Sequence, residues 1–226
     1  MIPDKEQKKW KQNTKIASEI NKDEKRKKDL IKRAYEIGGK YVTVYWGCAQ
    51  TTFLATVNTL REAGIEILSK SDEEKIFPGM VGLAGGTGNI GTGSCGALVG
   101  TGFCVSLVAN RSQGVDRETQ QENINNRWIS FDAVYNTMAK RFMDEYNGLS
   151  CRSVTWASFG KNWDSWDPVA KEEFGIEQNQ RGCLEDPAGY PCTIARAVGW
   201  AVEDIIDLLV KPITLEYVIK EHNLEV

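Results

Sequence analysis

The sequence contains a single histidine, His222, near the end of its 226 residues. Serine-type hydrolysis needs a histidine as general base, so this scarcity leaves little support for that class of enzyme. For the same reason, a transition-metal site in this chain would depend mainly on cysteine or carboxylate ligands. Thiolate-rich sites suit iron–sulfur clusters, zinc and Cu(I).

Long apolar runs and an apolar export signal are also absent. No segment reaches the ~20 apolar residues that a membrane-spanning helix needs, and the first residues are largely charged. The net charge of -3 does not favour nucleic-acid binding. We therefore expect a cytoplasmic protein with no membrane span and no nucleic-acid partner.

The composition is that of a soluble protein large enough for one sizeable core, with 41% hydrophobic and 26% charged residues. Residues 4–36 are dense in charge and predict one or two exposed helices. Gly38 and Gly39 are expected to break this segment. We divide the chain into a charged helical extension over 1–37 and a helical domain with the cysteines over 38–226.

Helical periodicity dominates the rest of the chain. Apolar spacing predicts helices after Cys48, after Ser94, from Trp128 to near Asn147, and after Cys192. The predicted fold is mostly α, a compact helical domain with a glycine-rich loop and several helices that start at cysteines.

Other segments are predicted to be less regular. Residues 41–46 suit a short strand or the start of the next helix, and Pro78-Gly79 is expected to break a short helix. A loop is expected over residues 110–126, and an irregular insertion over 162–191. Residues 213–226 are expected to add a last helix.

Eight glycines lie between Gly82 and Gly100. Such density indicates a backbone that turns sharply or approaches another group closely. Ser94 is a typical N-cap for the apolar run that follows, which would place Cys95 in the first helical turn. The helix dipole and free N–H groups there favour a thiolate. This loop and Cys95 are predicted to form one wall of a redox or metal site.

Four of the six cysteines fall at predicted helix starts, and we predict them as ligands of one metal site: Cys48, Cys95, Cys151 and Cys192. If these helix ends converge, their dipoles would stabilise thiolates and an anionic cluster. Cys104 lies nine residues after Cys95, about half a turn away in net rotation, and is expected to be a core thiol. Cys183 is left open as a fifth ligand, a resolving thiol or an incidental residue.

Backbone and side-chain donors near these cysteines are further candidates. Gly93, Ser94 and Gly96 are expected to bind the cofactor beside Cys95, and Arg152 to offset thiolate charge or bind an anion. The side chains expected to donate to sulfur are Gln50, Asn89 and Thr92.

The cysteine pattern resembles the C-GCAxxG-C-C family of redox-active proteins, to which the module in split-Soret cytochromes is related. The residues that carry the resemblance are Cys48-Ala-Gln, Cys95-Gly-Ala-Leu-Val-Gly100, Cys151-Arg and Cys192. The resemblance implies a helical redox module with its four cysteines in one site, where they ligate an iron–sulfur cluster. The chain differs in having Ser94 before the central cysteine, and it lacks the Cys-x-x-Cys-His motif that attaches haem covalently.

Three chemistries remain open at these cysteines. The first is an oxygen-sensitive [4Fe-4S] or [2Fe-2S] cluster that transfers electrons. The second is a metal-free dithiol–disulfide couple between Cys48 and Cys95. The third is a structural zinc site, disfavoured because compact Cys-x-x-Cys pairs are absent.

Outside the thiol chemistries, Gly86–Gly91 matches a dinucleotide fingerprint, which would make the chain a nicotinamide or flavin oxidoreductase if a strand precedes the loop and βαβ units follow. A purely structural role for the cysteines is the remaining alternative. The main hypothesis is an iron–sulfur electron-transfer protein with a redox partner protein. In a binding-module alternative, the charged N-terminal segment binds a partner oxidoreductase while the thiols carry out exchange. A homodimer is also considered.

Overall fold

The structure is a computed structural model that describes residues 4–112, 120–180 and 192–224. Within these ranges the chain forms helices and no strand, which confirms the predicted mostly α fold. The helices are α1 (Asp4–Lys22), α2 (Glu24–Tyr45), α3 (Cys48–Glu62), α4 (Lys70–Val81), α5 (Gly96–Ser112), α6 (Gln120–Val134), a π-helical turn (Tyr135–Ala139), α7 (Lys140–Tyr146), α8 (Cys151–Phe159), α9 (Pro168–Gln180), α10 (Thr193–Val210) and α11 (Leu215–His222).

Helix α10 lies at the centre of the core. Most of its residues are buried, and α1, α2, α3 and α5 all pack against it. Its broad apolar face suits this position, and its charged residues Arg196, Glu203 and Asp207 lie on the side that remains accessible. Because α3 and α5 also pack closely on each other, α10 supports the two helices whose N-terminal ends carry Cys48 and Cys95.

Helix α2 continues through Gly38 and Gly39, so the expected break there is wrong, as is the short strand over 41–46. The reason is helix packing. Both glycines are buried, and a Cβ on Gly38 would lie 2.9 Å from the Cα of Ala195 in α10. The glycine permits a close helix crossing and does not end the helix.

The charged N-terminal segment forms α1 and most of α2. Its apolar residues Trp10, Ala17 and Ile20 belong to the same core cluster as α3, α5 and α10. Lys27, in the basic run of α2, donates to Asp207 Oδ1 of α10 over 2.6 Å. The domain boundary that we placed after residue 37 falls inside α2.

Two segments expected to be irregular contain helices. The loop expected over 110–126 overlaps α5 and α6, and the insertion expected over 162–191 contains α9. Asp167 caps α9, since its Oδ1 accepts from the N–H of Val169 over 2.8 Å, and Pro168 occupies the first helical position, where proline is favoured. An Asp-Pro pair of this kind is a helix-start signal that our interpretation of the segment missed.

Helix α4 runs through Pro78, which does not break it as expected. Proline cannot donate a hydrogen bond to the carbonyl four residues earlier, at Glu74. Both residues lie on the exposed side of α4, where water can take the place of that bond.

Two helix ends agree with the sequence prediction. The helical segment that includes Trp128 ends at Tyr146, followed by Asn147 with φ 51°. Helix α8 starts after Ser150, whose Oγ accepts from the N–H of Ser153, and it stops at Gly160. None of the helices in the described ranges has the length and apolar character needed to cross a membrane.

The crossing of α2 and α10 can be tested with one substitution at two glycines. We expect Gly38→Ala to lower the free energy of unfolding by about 1–2 kcal/mol, because the added methyl overpacks the contact with Ala195. The matched control is Gly79→Ala in α4, where no atom lies within 4 Å of the new Cβ. It should be neutral or stabilising by up to about 1 kcal/mol. Equal effects in chemical denaturation would contradict the proposed close crossing.

Candidate functional site: a cluster of three thiols

Three of the four predicted ligands come together where α3, α5 and α8 begin: Cys48, Cys95 and Cys151. The charge of Cys48 raises the pKa of both Cys95 and Cys151, and the charge of Cys151 raises the pKa of Cys95. The three side chains are therefore close enough to interact. All three are free thiols. We call them the three-thiol site.

Cys48 is the first residue of α3, directly after Gly47. Its Sγ accepts from the N–H of Gly85 over 3.5 Å, and the N–H groups of Gly96 and Ala49 also stabilise its charge. A Cβ on Gly96 would overlap the Cys48 Sγ. The absence of a side chain at Gly96 therefore lets the sulfur lie against the start of α5.

Cys95 occupies the N-cap position of α5, because its carbonyl accepts from the N–H of Val99 over 3.0 Å. The helix thus begins one residue later than predicted, and Ser94 is not its cap. The N–H of Cys95 donates to the carbonyl of Leu149 over 2.7 Å. Its side chain is buried, with 4% exposure.

Two short backbone segments hold Cys95 and Cys151 near each other. Ser94 forms an isolated antiparallel bridge with Ser150, and the N–H of Cys151 donates to the carbonyl of Gly93 over 3.0 Å. Gly93 and Ser94, which we predicted as cofactor-binding residues, thus use their backbone to join the starts of α5 and α8.

The glycine-rich loop has an unusual backbone. Residues 85–89 all have positive φ, between 60° and 76°, and two of them are the non-glycine residues Thr87 and Asn89. Left-handed conformations cost L-residues about 1–2 kcal/mol each and rarely occur in succession. The loop lies against the thiols, since a Cβ on Gly86 would be 2.9 Å from the Cys151 Cβ. Backbone strain of this kind is typical of functional sites.

Burial raises the pKa of all three thiols. For Cys95, the charges of Cys48 and Cys151 raise the pKa further, and the N–H groups of Ala97 and Leu98 oppose this rise only in part. The expectation that helix N-termini favour thiolates here is therefore wrong for the site without metal. Desolvation outweighs the helix ends, and the thiols stay protonated at neutral pH.

Cys192 belongs to a different packing cluster from Cys48 and Cys95. It is the N-cap of α10 and packs in a small separate cluster with Val42 and Ala195. Burial raises its pKa, and the charge that opposes this is that of Arg196. The structure thus brings together three of the four predicted ligands.

The remaining cysteines have different positions. Cys104 is fully buried, with its Sγ 3.9 Å from the carbonyl oxygen of Phe53, as expected for a core thiol. Cys183 lies outside the described residues.

Two of the three predicted side-chain donors to sulfur, Gln50 and Asn89, have other partners. The Gln50 amide donates to the carbonyls of Tyr45 and Trp46 over 3.3 Å each, and the Asn89 amide donates to the carbonyl of Ser165 over 3.3 Å. Arg152 is exposed, and its aliphatic stem and Nε lie over Gly91. Its backbone N–H donates to the Gly91 carbonyl over 2.9 Å.

The ligand geometry does not fit a metal as it stands. Across residues 4–112, 120–180 and 192–224, no group of three or more His, Cys, Asp or Glu side chains is placed to hold a metal ion. The three-thiol site as placed thus does not form a ready site for an iron–sulfur cluster or for zinc.

The dinucleotide fingerprint at Gly86–Gly91 lacks its structural context. A strand should precede the loop, but the structure places α4 there. The loop contacts Cys48 and Cys151 instead.

Tyr146, at the end of α7, lies beside the site and was not among the predicted site residues. Its ring is buried against Phe142, with ring centroids 5.3 Å apart. Burial raises the pKa of Tyr146 to about 12, with a further contribution from the charge of Cys95. Its spacing of four residues from Phe142, at the end of a helix and shortly before Cys151, was the available signal.

Comparison with known families gives a result consistent with this site. The family model described as "Putative redox-active protein (C_GCAxxG_C_C)" matches residues 46–202. The match covers the whole three-thiol site, the glycine-rich loop and Cys192. The chain belongs to this family. Searches of curated proteins and of solved structures found no match.

Membership in the C_GCAxxG_C_C family confirms the resemblance inferred from the cysteine pattern. The family description supports a redox-active protein in general. It names no cofactor, substrate or partner.

The contact between Cys48 and α5 can be tested by adding one methyl group. We expect Gly96→Ala to destabilise the reduced protein by about 1–3 kcal/mol, because the new Cβ overlaps the Cys48 Sγ. The control is Gly102→Ala in the same helix, where the nearest atom would be 3.5 Å away. If both variants unfold at the same denaturant concentration, Cys48 does not lie against Gly96.

The raised thiol pKa values predict a pH dependence of stability. A group whose pKa is raised on folding stabilises the fold below its unfolded pKa, and this stabilisation is lost as pH rises through its folded pKa. The free energy of unfolding of the reduced protein should therefore fall above the ordinary thiol pKa of 9.0.

The control for this pH dependence is a variant with Cys48, Cys95 and Cys151 all replaced by alanine. The variant lacks the three buried thiols, so it should lose less stability between neutral and alkaline pH. Parallel denaturation curves for the two proteins across that pH range would contradict burial as the cause.

Proposed function

We propose that this protein is a redox protein in which the three-thiol site cycles between dithiol and disulfide states. The observation that carries the proposal is that Cys48, Cys95 and Cys151, from three distant parts of the sequence, interact in one site. A scaffold of paired backbone segments and a strained glycine loop holds them there.

The electrostatics of the site favour a disulfide over a set of neighbouring thiolates. Ionising several buried thiols together is costly because each thiolate is desolvated and repels the others. A disulfide removes two of these sulfurs from the titrating set and carries no charge. Its formation releases two electrons and two protons to an acceptor, and its reduction takes them back.

Electron transfer through an iron–sulfur cluster is the second candidate function. It is supported by the cysteine pattern and by the backbone N–H groups directed at the Cys48 Sγ, since such hydrogen bonds tune cluster potentials. The described side chains do not fit a cluster as placed. This candidate therefore requires the thiols to rearrange around the metal.

A redox partner protein is the proposed source or acceptor of electrons. The charged surface of α1 and α2 is the proposed contact. This part of the proposal follows from the chain's composition and from the need of a thiol couple for a donor and an acceptor.

The first experiment separates the two candidates. The protein is purified without oxygen and its iron, acid-labile sulfide and ultraviolet–visible spectrum are measured. We expect a colourless reduced protein that, after mild oxidation with a disulfide, contains a disulfide within the three-thiol site when its peptides are mapped by mass spectrometry. Cys104→Ala is the control and should form the same bond, because Cys104 lies in the core apart from the site.

Iron and sulfide in stoichiometric amounts, with absorbance near ~400 nm that bleaches on reduction, would support the cluster candidate instead. A protein that binds no metal and forms no disulfide at these three positions would contradict both candidates. The cysteines would then be structural.

A further inference from the structure

We propose that the three-thiol site is an ordered relay that reduces disulfide substrates, in which Cys151 receives the substrate, Cys48 resolves the mixed disulfide and Cys95 takes the final bond. The inference rests on the dithiol–disulfide function proposed above. It assigns each thiol a role and names the substrate class.

The three sulfurs lie at increasing depth. Cys151 is partly exposed and belongs to neither core cluster. Cys48 is also partly exposed, but it packs against the main core and more protein atoms surround it. Cys95 is a buried member of that core. A bulky disulfide can therefore approach Cys151 most easily.

Cys48 lies between the other two. Its charge acts on both Cys95 and Cys151, and its sulfur rests against Gly96, the residue after Cys95. On its other side, the glycine loop that donates to Cys48 through Gly85 also meets Cys151 at Gly86. The central sulfur can thus exchange with either neighbour.

The surroundings of Cys151 suit an incoming substrate. It begins α8, and the Thr155 hydroxyl, one turn later, is 3.9 Å from its Sγ, where it stabilises the thiolate. Arg152 and Trp156 on the same helix are exposed. They give the exposed surface of α8 a cation and an aromatic ring.

Atoms and electrons balance in the relay, which consists of two thiol–disulfide exchanges with the substrate and a third exchange among the cysteines. The Cys151 thiolate attacks the substrate disulfide, the S–S bond breaks, and the first substrate thiolate leaves and is protonated. Cys48, after losing its proton to solvent, attacks the Cys151 Sγ and expels the second substrate thiol. The substrate has then gained two electrons from Cys48 and Cys151. Finally, Cys95 attacks the Cys48 Sγ, which frees Cys151 as a thiol without any net change in electrons.

The test uses the reduced full-length protein and the aromatic disulfide 5,5′-dithiobis(2-nitrobenzoate). With Cys48→Ser, the relay stops after its first step, so we expect a stable thionitrobenzoate adduct on Cys151. With Cys95→Ser, it stops after the second step and leaves a Cys48–Cys151 disulfide. Peptide mass spectrometry assigns each product, so reaction at Cys183 or Cys192 is recognised separately.

Rates give an independent readout. Cys151→Ser should slow the first release of thionitrobenzoate from the site by about tenfold or more, because the remaining thiols are more enclosed. Cys104→Ala is the control and should match the unmodified protein. In denaturant, we expect the remaining thiols of all variants to react at equal rates, which would show that the rate differences come from the fold. Circular dichroism checks that each variant is folded.

The outcomes distinguish the relay from the function on which it rests. If the unmodified protein forms no disulfide among the three thiols, the proposed dithiol–disulfide function fails. If it does form one, but Cys48→Ser accumulates its adduct on Cys95, or Cys151→Ser reacts at the unmodified rate, the function stands and the relay order is wrong.

Discussion

The desolvation of three neighbouring sulfurs is the constraint around which this fold is arranged. Each thiol sits at or beside a helix N-terminus, where unpaired N–H groups are available. Burial and mutual repulsion nevertheless raise the thiol pKa values. The site is thus stable while its sulfurs are protonated. Loss of these protons leaves buried thiolates that are poorly solvated and repel one another. Both candidate functions reduce this repulsion, because a disulfide is uncharged and a bound metal offsets the thiolate charge.

The scaffold that maintains this arrangement consists mainly of backbone contacts. Hydrogen bonds between residues 91–95 and 149–152 fix the starts of α5 and α8, and the left-handed residues 85–89 direct an N–H group at Cys48. Glycine at position 96 admits the sulfur itself. Behind them, α10 supports α3 and α5. The glycines cost conformational entropy and in return allow backbone to approach sulfur.

Much of this could be predicted from sequence. Helical periodicity predicted α3, α5 and α10, and the caps at Ser150 and Gly160 predicted α8, because these signals are local. The continuity of α2 could not be predicted, since Gly38 looks like a breaker until Ala195 is seen to pack on it. The placement of cysteines at helix starts was predicted, but the sign of their pKa shifts depends on burial, which is a property of the assembled core. For the same reason, the separate position of Cys192 needed the structure.

The three-thiol site unites positions about fifty residues apart in sequence, and this couples conformational stability to oxidation. A bond between residues 48 and 151 would close a loop of about 100 residues and restrict the unfolded chain by roughly 4–5 kcal/mol in the chain-entropy model. By thermodynamic linkage, the free energy by which the disulfide stabilises the fold equals the free energy by which folding stabilises the disulfide against reduction. Passing the bond from position 151 to position 95 shortens the loop to about half, which changes this term by only about 0.6 kcal/mol. Chain topology therefore makes the two oxidised forms nearly equal in entropy, and local packing around the sulfurs decides which of them persists.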